Sequence, residues 1–343
     1  MTTSCNETPP SKSASRSTLL LARSDVRALL GLDECIAAVE EAFRLHAQGR
    51  TLPPGVLGVP SVDGGFHMKA AGLRLEPGRF AVKCNGNFFH NSTRHEMPNI
   101  QGLILLCDAD NGYPLAVIDS IEITILRTGA ATAVAARHLS RPDSKVVTIA
   151  GCGNQGRVQL AALRRVRGIE TVHAWDIDPA RARAFAEEVA ADTGLAAAAT
   201  PDLSAAVRAS DICVTCTPSH RAILMLDDIP PGIFIAAVGA DSHDKQELDP
   251  AILARAKVVV DILEQCAEIG ELHHALAAGV MTRQDVHAEL ADIVAGARPG
   301  RRTADETFVF DSTGTALQDV AAADALYRRA LAAGAGSTLD FQA

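Results

Sequence analysis

The chain has 343 residues, 48% of them hydrophobic and 21% charged, which suits two packed domains and excludes a disordered or low-complexity protein. A formal net charge of −9 without a basic stripe argues against nucleic-acid binding and for a small-molecule partner. No apolar run approaches the about 18 residues of a membrane helix, and "TLLLA" at 18–22 is too short for a signal-peptide core, so a cytoplasmic location is expected.

Residues 1–17, opening with a Ser-, Thr- and Pro-rich stretch, read as a disordered tail. From Ser24 to Gln48 apolar residues recur at helical spacing, with Asp33 as a candidate cap after Gly31. Between Thr51 and Val117 short β-like runs ("GGFHMKAAGL", "RFAVKCNGNF", "IQGLILLCDA", "PLAVIDS") are separated by Gly, Pro and Asn turns, and "DADNG" at 108–112 reads as a hairpin turn. These runs predict an antiparallel or mixed sheet. A long Ala-rich helix is expected from about Thr124, broken at Pro142.

From about 143 to 265 strands alternate with helices, the pattern of a doubly wound parallel sheet. A last strand, "FVFDS", and a helix from near Thr315 are placed to return to the first domain. The expected fold is therefore α/β: a Rossmann-type parallel-sheet domain, residues 126–314, inserted into an α+β domain built from 18–125 and 315–343.

The strand "VVTIAG" runs into Gly151-Cys152-Gly153-Asn154-Gln155-Gly156 and then a helix. This is the context in which a glycine-rich turn holds a dinucleotide pyrophosphate at a helix N-terminus. Gly151 suits the tight turn, Gly153 the approach of backbone to phosphate, and Gly156 the seating of helix on sheet. Asp176, twenty residues past Gly156 in "AWDIDP", can accept hydrogen bonds from ribose hydroxyls and would repel a 2′-phosphate, so NAD is favoured over NADP. Thr217 and the pair Val238–Gly239, at the ends of later strands, are further candidate cofactor contacts.

The eight cysteines form no spaced framework and read as reduced thiols. Cys213 and Cys216 have CxxC spacing but no second pair or histidine cluster, and His273 and His274 lack a partner at ligand spacing, so no metal site is expected.

Ionisable residues inside apolar runs are costly unless paired. Lys69 in "FHMKAAGL", Lys83 in "FAVKCNGNF" and Arg127 in "ITILRTGAATAVAA" stand out for that reason, and Asp241 ends the strand "GIFIAAVGAD". An arginine fork suits a substrate carboxylate, and a buried lysine of lowered pKa suits an acid or base. Each could equally be a paired structural charge.

The stretches "FAVKCNGNFFHN", "GYPLAVIDSIEITILRTGAATAVAARHLSRPDSKVVTIAGCGNQG", "AVGADSHDKQELDP" and "VFDSTGTALQDVAAA" resemble the ornithine cyclodeaminase/mu-crystallin family over about 18–335. The resemblance implies a homodimer, a Rossmann domain joined to a substrate and dimerisation domain, and hydride exchange between nicotinamide and the α-carbon of an amino or imino acid. By position it makes Lys83 the catalytic lysine, Arg127 the carboxylate-binding arginine, and Asp241 the aspartate that handles the substrate nitrogen or a water. The sequence departs from the cyclodeaminase pattern in "LPPGVLGVPSVDGGFHMK", which has no Arg or Glu. Lys69, with His67 beside it, is the candidate to take over a carboxylate contact, and His67 is as well read as a packed core residue. An added cation suits a second carboxylate, as in iminosuccinate-type reductases, and disfavours ornithine.

The expected activity is an NAD-dependent imino-acid reductase or amino-acid dehydrogenase. Two alternatives stand beside it: a cyclodeaminase that releases ammonia from a diamino acid, and a nucleotide-fold protein that binds without turnover.

Overall fold

The computed structural model describes residues 17–88 and 90–341, so residues 1–16 of the expected tail lie outside it. The chain opens with β1 (Thr18–Leu21), α1 (Arg23–Leu29) and α2 (Leu32–Ala47). It continues through β2 (Thr51–Ser61), β3 (Gly64–Leu73), β4 (Arg79–Asn87), α3 (Asn91–Arg94), β5 (Ile100–Asp108) and β6 (Pro114–Asp119). The long α4 (Ser120–Leu139) follows. Two expectations need correction. The helix expected over 24–48 is two helices, with Gly31 rather than Asp33 as the N-cap of α2. α4 starts at Ser120, because the Asp119 carboxylate accepts from the Ile121 N–H and caps it there.

The six strands of this half, with one more from residues 337–339, form a seven-stranded sheet whose order places β2 at one edge. That edge position lets β2 run for 11 residues through Pro53, Pro54 and Pro60, since an edge strand leaves N–H positions unpaired. The register shifts between Leu52 and Gly55, where Pro53 and Pro54 lie. The "DADNG" turn joins β5 to β6, with Gly112 at φ +78°.

The second half contains β7 (Val146–Ala150), α5 (Asn154–Leu163), β8 (Thr171–Trp175), α6 (Pro179–Thr193), β9 (Ala196–Ala199), α7 (Leu203–Arg208) and β10 (Ile212–Thr215). Then come β11 (His220–Leu224), β12 (Phe234–Ala237), β13 (Gln246–Leu248), α8 (Pro250–Arg255), β14 (Lys257–Val260), α9 (Leu263–Ile269) and α10 (Glu271–Ala277). The chain closes with β15 (Ala288–Glu289), α11 (Leu290–Val294), β16 (Phe308–Asp311), α12 (Ala316–Ala333) and β17 (Ser337–Leu339).

Its eight-stranded sheet runs β15-β14-β16-β12-β10-β7-β8-β9, all parallel, with the switch of direction between β7 and β10. Ligands of doubly wound sheets bind outside the strand carboxyl ends at such a switch. Strands buried on both faces, such as "FIAA" and the "FVF" that opens β16, read as continuous apolar runs for this reason.

Both chain ends serve the first sheet. β1 lies between β6 and β17, and α12 packs against α2, β3 and β4. α4 joins the halves by packing on α2 and α5. At Gly129 any Cβ would crowd Val158 of α5 at 2.9 Å, so the small residue lets the two helices meet.

Candidate active site

The glycine turn leaves β7 at Gly151, whose φ of +110° and distance from the Cys216 carbonyl (2.7 Å for a notional Cβ) leave no room for a side chain. Gly153 is the N-cap of α5; it has open space where a Cβ would stand and no side chain capping the helix. Asn154 and Gln155 form the first turn of that helix, and a Cβ on Gly156 would overlap the Gly151 carbonyl. An uncapped helix N-terminus with open space before it fits a pyrophosphate. Asp176, just past the end of β8, is tied to the turn: its Oδ2 accepts from the Cys152 N–H at 2.9 Å and its Oδ1 from the Asp178 N–H at 3.0 Å.

Thr217 lies past the end of β10 and Val238–Gly239 past the end of β12. The Glu247 carboxylate holds them together, accepting from the Thr217 N–H, the Thr217 hydroxyl and the Gly239 N–H at 2.6, 2.7 and 3.0 Å.

A cleft of about 960 Å³ lies between the two sheets, and its walls include His67, Lys69, Lys83, Arg127 and Asp241. The five candidate substrate and catalytic residues thus share one chamber, coming from β3, β4, α4 and the loop after β12. Lys69 and Lys83 stand directly opposite each other on β3 and β4, and Arg127 reaches in from α4.

Lys83 is buried, with its Nζ 2.8 Å from Oδ2 and 2.9 Å from Oδ1 of Asp319 on α12. Arg127 pairs with the same carboxylate, Nε to Oδ1 at 3.2 Å, and its Nη1 donates to Gln318 Oε1 at 2.9 Å. Burial pushes the Lys83 pKa down to about 7; Asp319 opposes this, and the charges of Arg127 and Lys69 reinforce it. Asp319 itself is held below its ordinary value, because the Lys83 and Arg127 charges outweigh its burial. One carboxylate thus serves two cations.

Among the described residues no carboxylate pairs with Lys69. Its Nζ donates to the main-chain oxygens of Thr313 (3.0 Å) and Gly314 (2.8 Å), and burial first, then Arg127, lowers its pKa. Gly314, at φ +76°, lies so close to Arg127 that a Cβ there would overlap Nη1. Asp241, its side chain about half exposed, accepts from Lys245 Nζ at 2.6 Å, and against partial desolvation at the cleft wall the charges of Lys245, Lys69 and His67 keep its carboxyl below the usual range. His67 lines the cleft half-buried, so its ring is not part of the packed core.

Asp319, Gln318 and Glu247 were not among the sequence candidates. Asp319 could have been found by the criterion that selected the lysines, since it is a charge in the small-residue run "TALQDVAAADAL". Cys213 lies buried in β10 and Cys216 just beyond it; burial pushes both thiols up, which makes them poor nucleophiles. His273 and His274 stand in α10 with His243 edge-on to His273, and no group of metal-holding residues occurs among the described residues.

Residues 16–334 match the sequence profile of the ornithine cyclodeaminase/mu-crystallin family. An alanine dehydrogenase of Archaeoglobus fulgidus is 39% identical over 329 residues, covering 94% of this chain and 98% of that protein. A solved archaeal alanine dehydrogenase dimer with bound NAD superposes with a TM-score of 0.90 at 39% identity, covering 95% of this chain and 99% of that one. The Δ1-pyrroline-2-carboxylate reductase of Thermococcus litoralis, solved with NADH and L-proline, gives 0.89 at 34% identity, covering 94% and 100%.

Proposed function

Because the chain belongs to the ornithine cyclodeaminase/mu-crystallin family, we propose that it is an NAD-dependent oxidoreductase interconverting a small α-amino acid with its imino or 2-oxo acid. The observation that carries the reading is the pairing of Lys83 and Arg127 through Asp319, in the same cleft as Asp241. We assign the cofactor to residues 126–314, on Gly151, Gly153, Asn154, Gln155, Gly156, Asp176, Thr217, Val238 and Gly239. Residues 18–125 with 315–343 carry the substrate.

When bound, the nicotinamide supplies or accepts hydride at the substrate α-carbon. Arg127 offers the guanidinium face left free by Asp319 and Gln318 to the substrate carboxylate. Lys69 and His67 add a cationic wall that suits a second carboxylate. In reduction the Lys83 ammonium gives a proton to the imine nitrogen, and in oxidation the neutral amine takes it back. Asp241 faces the nitrogen while it carries positive charge, stabilising the form that accepts hydride.

Purified protein with NADH, ammonium and a pool of 2-oxo acids and cyclic imines should consume NADH, and NADPH more slowly because Asp176 opposes a 2′-phosphate. The reductive kcat/KM should be level below pH 7 and fall above it, as the Lys83 ammonium deprotonates near its pKa of about 7. The oxidative kcat/KM should rise through the same range, because it needs the neutral amine. No consumption of NADH, together with ammonia release from ornithine or lysine at catalytic NAD, would replace this reading with a cyclodeaminase.

We also propose a homodimer through the outer face of the first sheet. Leu57, Met68, Cys84 and Leu103 align in register across β2, β3, β4 and β5, with Val59 and Phe66 beside them; Leu57 and Leu103 are 56% and 55% exposed. A second copy would cover this apolar row. Sedimentation should give a dimer, and Leu103→Glu should shift it to monomer; a monomeric wild type would rule the interface out. No described helix is long and apolar enough to cross a membrane, and the seven described cysteines are free. We place the enzyme in the cytoplasm, which cell fractionation checks.

A further inference from the structure

Three buried carboxylates, Asp311, Glu271 and Glu247, run in a row with no cation paired to any of them among the described residues. Asp311, at the end of β16, accepts from the Glu271 N–H (3.2 Å, Oδ1) and the Leu272 N–H (2.9 Å, Oδ2). Glu271 in turn accepts from the Glu247 N–H (2.7 Å, Oε1) and the Leu248 N–H (3.1 Å, Oε2). Glu247 completes the row on Thr217 and Gly239, as described above. Each carboxylate therefore spans two backbone amides, one on each oxygen.

That pattern explains why the residues are acids. An amide side chain would turn an NH₂ group against one of the two backbone N–H donors in every case. Burying carboxylates without cations is expensive, and burial pushes all three upward, Asp311 to about 7. The return on that expense is positional. At one end the row holds the loops after β10 and β12, on one side of the sheet's switch point. At the other end Asp311 leads directly into Ser312, Thr313 and Gly314, a segment that the buried Asp261 carboxylate holds by accepting from the Gly314 N–H at 2.7 Å, and whose main chain holds Lys69 and borders Arg127.

We infer that Glu247 is a positioning residue for hydride transfer: through Glu271 and Asp311 it fixes the Thr217–Gly239 loops relative to the Thr313–Gly314 segment, and so the nicotinamide relative to the substrate α-carbon. This rests on the oxidoreductase reading above. Binding of NADH to the full-length wild type, followed by fluorescence, tests that reading separately; without it both fail.

With wild-type binding established, Glu247→Gln is assayed well below its melting temperature with NADH and substrate both saturating. A misplacement of about 1 Å is enough to lower rate about 10²-fold, and a fall in kcat of that order is the expected result. The deuterium isotope effect on kcat with 4-deuterated NADH should rise, because hydride transfer becomes slower than product release. A purely structural role would lower the melting temperature and leave both kcat and the isotope effect at wild-type values, which would overturn the proposal. If Glu247→Gln does not fold, Glu271→Gln is read in the same way, and wild-type kcat and isotope effect there count equally against it.

Discussion

Replacing Lys83 with methionine is expected to lower kcat/KM for the reductive reaction by about 10²–10⁴-fold, the usual contribution of a positioned acid, while NADH affinity stays unchanged. Lys83 lies on β4 of the first sheet, whereas the glycine turn proposed to hold the pyrophosphate follows β7 of the second. Methionine fills a similar buried volume, and Asp319 still has Arg127 within 3.2 Å, so no carboxylate is stranded. The part of the fall above pH 7 that comes from the Lys83 ammonium should disappear from the residual activity, leaving only what Asp311, also near 7, contributes. A variant with wild-type kcat/KM would remove Lys83 from the chemistry.

Arg127→Met should act differently, on KM more than on kcat. Truncating one partner of a buried, hydrogen-bonded charge pair costs about 2–5 kcal/mol, roughly 30- to 4000-fold in kcat/KM. Arg127 is also one of the charges that hold the Lys83 pKa down. Its removal leaves Lys83 alone with Asp319, so the fall in reductive kcat/KM should move to higher pH. The carboxylate role has its own check: wild type should prefer an imino acid to the same imine lacking the carboxylate, and the variant should not. An unchanged KM, or an undiminished preference, would assign Arg127 to structure alone.

What could be read from residues was whatever depends on local pattern. The strand–helix alternation from Val146 onward has a clear period, and the glycine turn carries its own steric reasons. Lys69, Lys83 and Arg127 stood out because charge in an apolar run needs an explanation wherever it occurs. Asp319 was passed over because acids in an Ala-rich helix, here Asp319 and Asp324, look like the solvated face of that helix. Only tertiary packing turns that face toward Lys83. Glu247 lies in a strand of three residues, too short to show any period, and its partners are backbone amides that no side-chain pattern marks. The split between α1 and α2 was missed for a related reason: apolar spacing continues across Gly31, while Gly31 itself starts a new helix.

The return of the chain end to the first sheet sets a timetable for the molecule's birth. The Asp319 carboxylate and β17 leave the ribosome after every strand of the parallel sheet, so that sheet can fold before the first sheet is closed. Arg127 and Gln318 are 191 residues apart, and at usual rates of synthesis that is roughly 10–40 s. Throughout that interval Lys83 and Arg127 have no Asp319 to share, and the face of β3 and β4 later covered by α12 is bare. Nascent chains should therefore hold nucleotide before they can hold substrate, and their vulnerability to aggregation should end only when α12 docks.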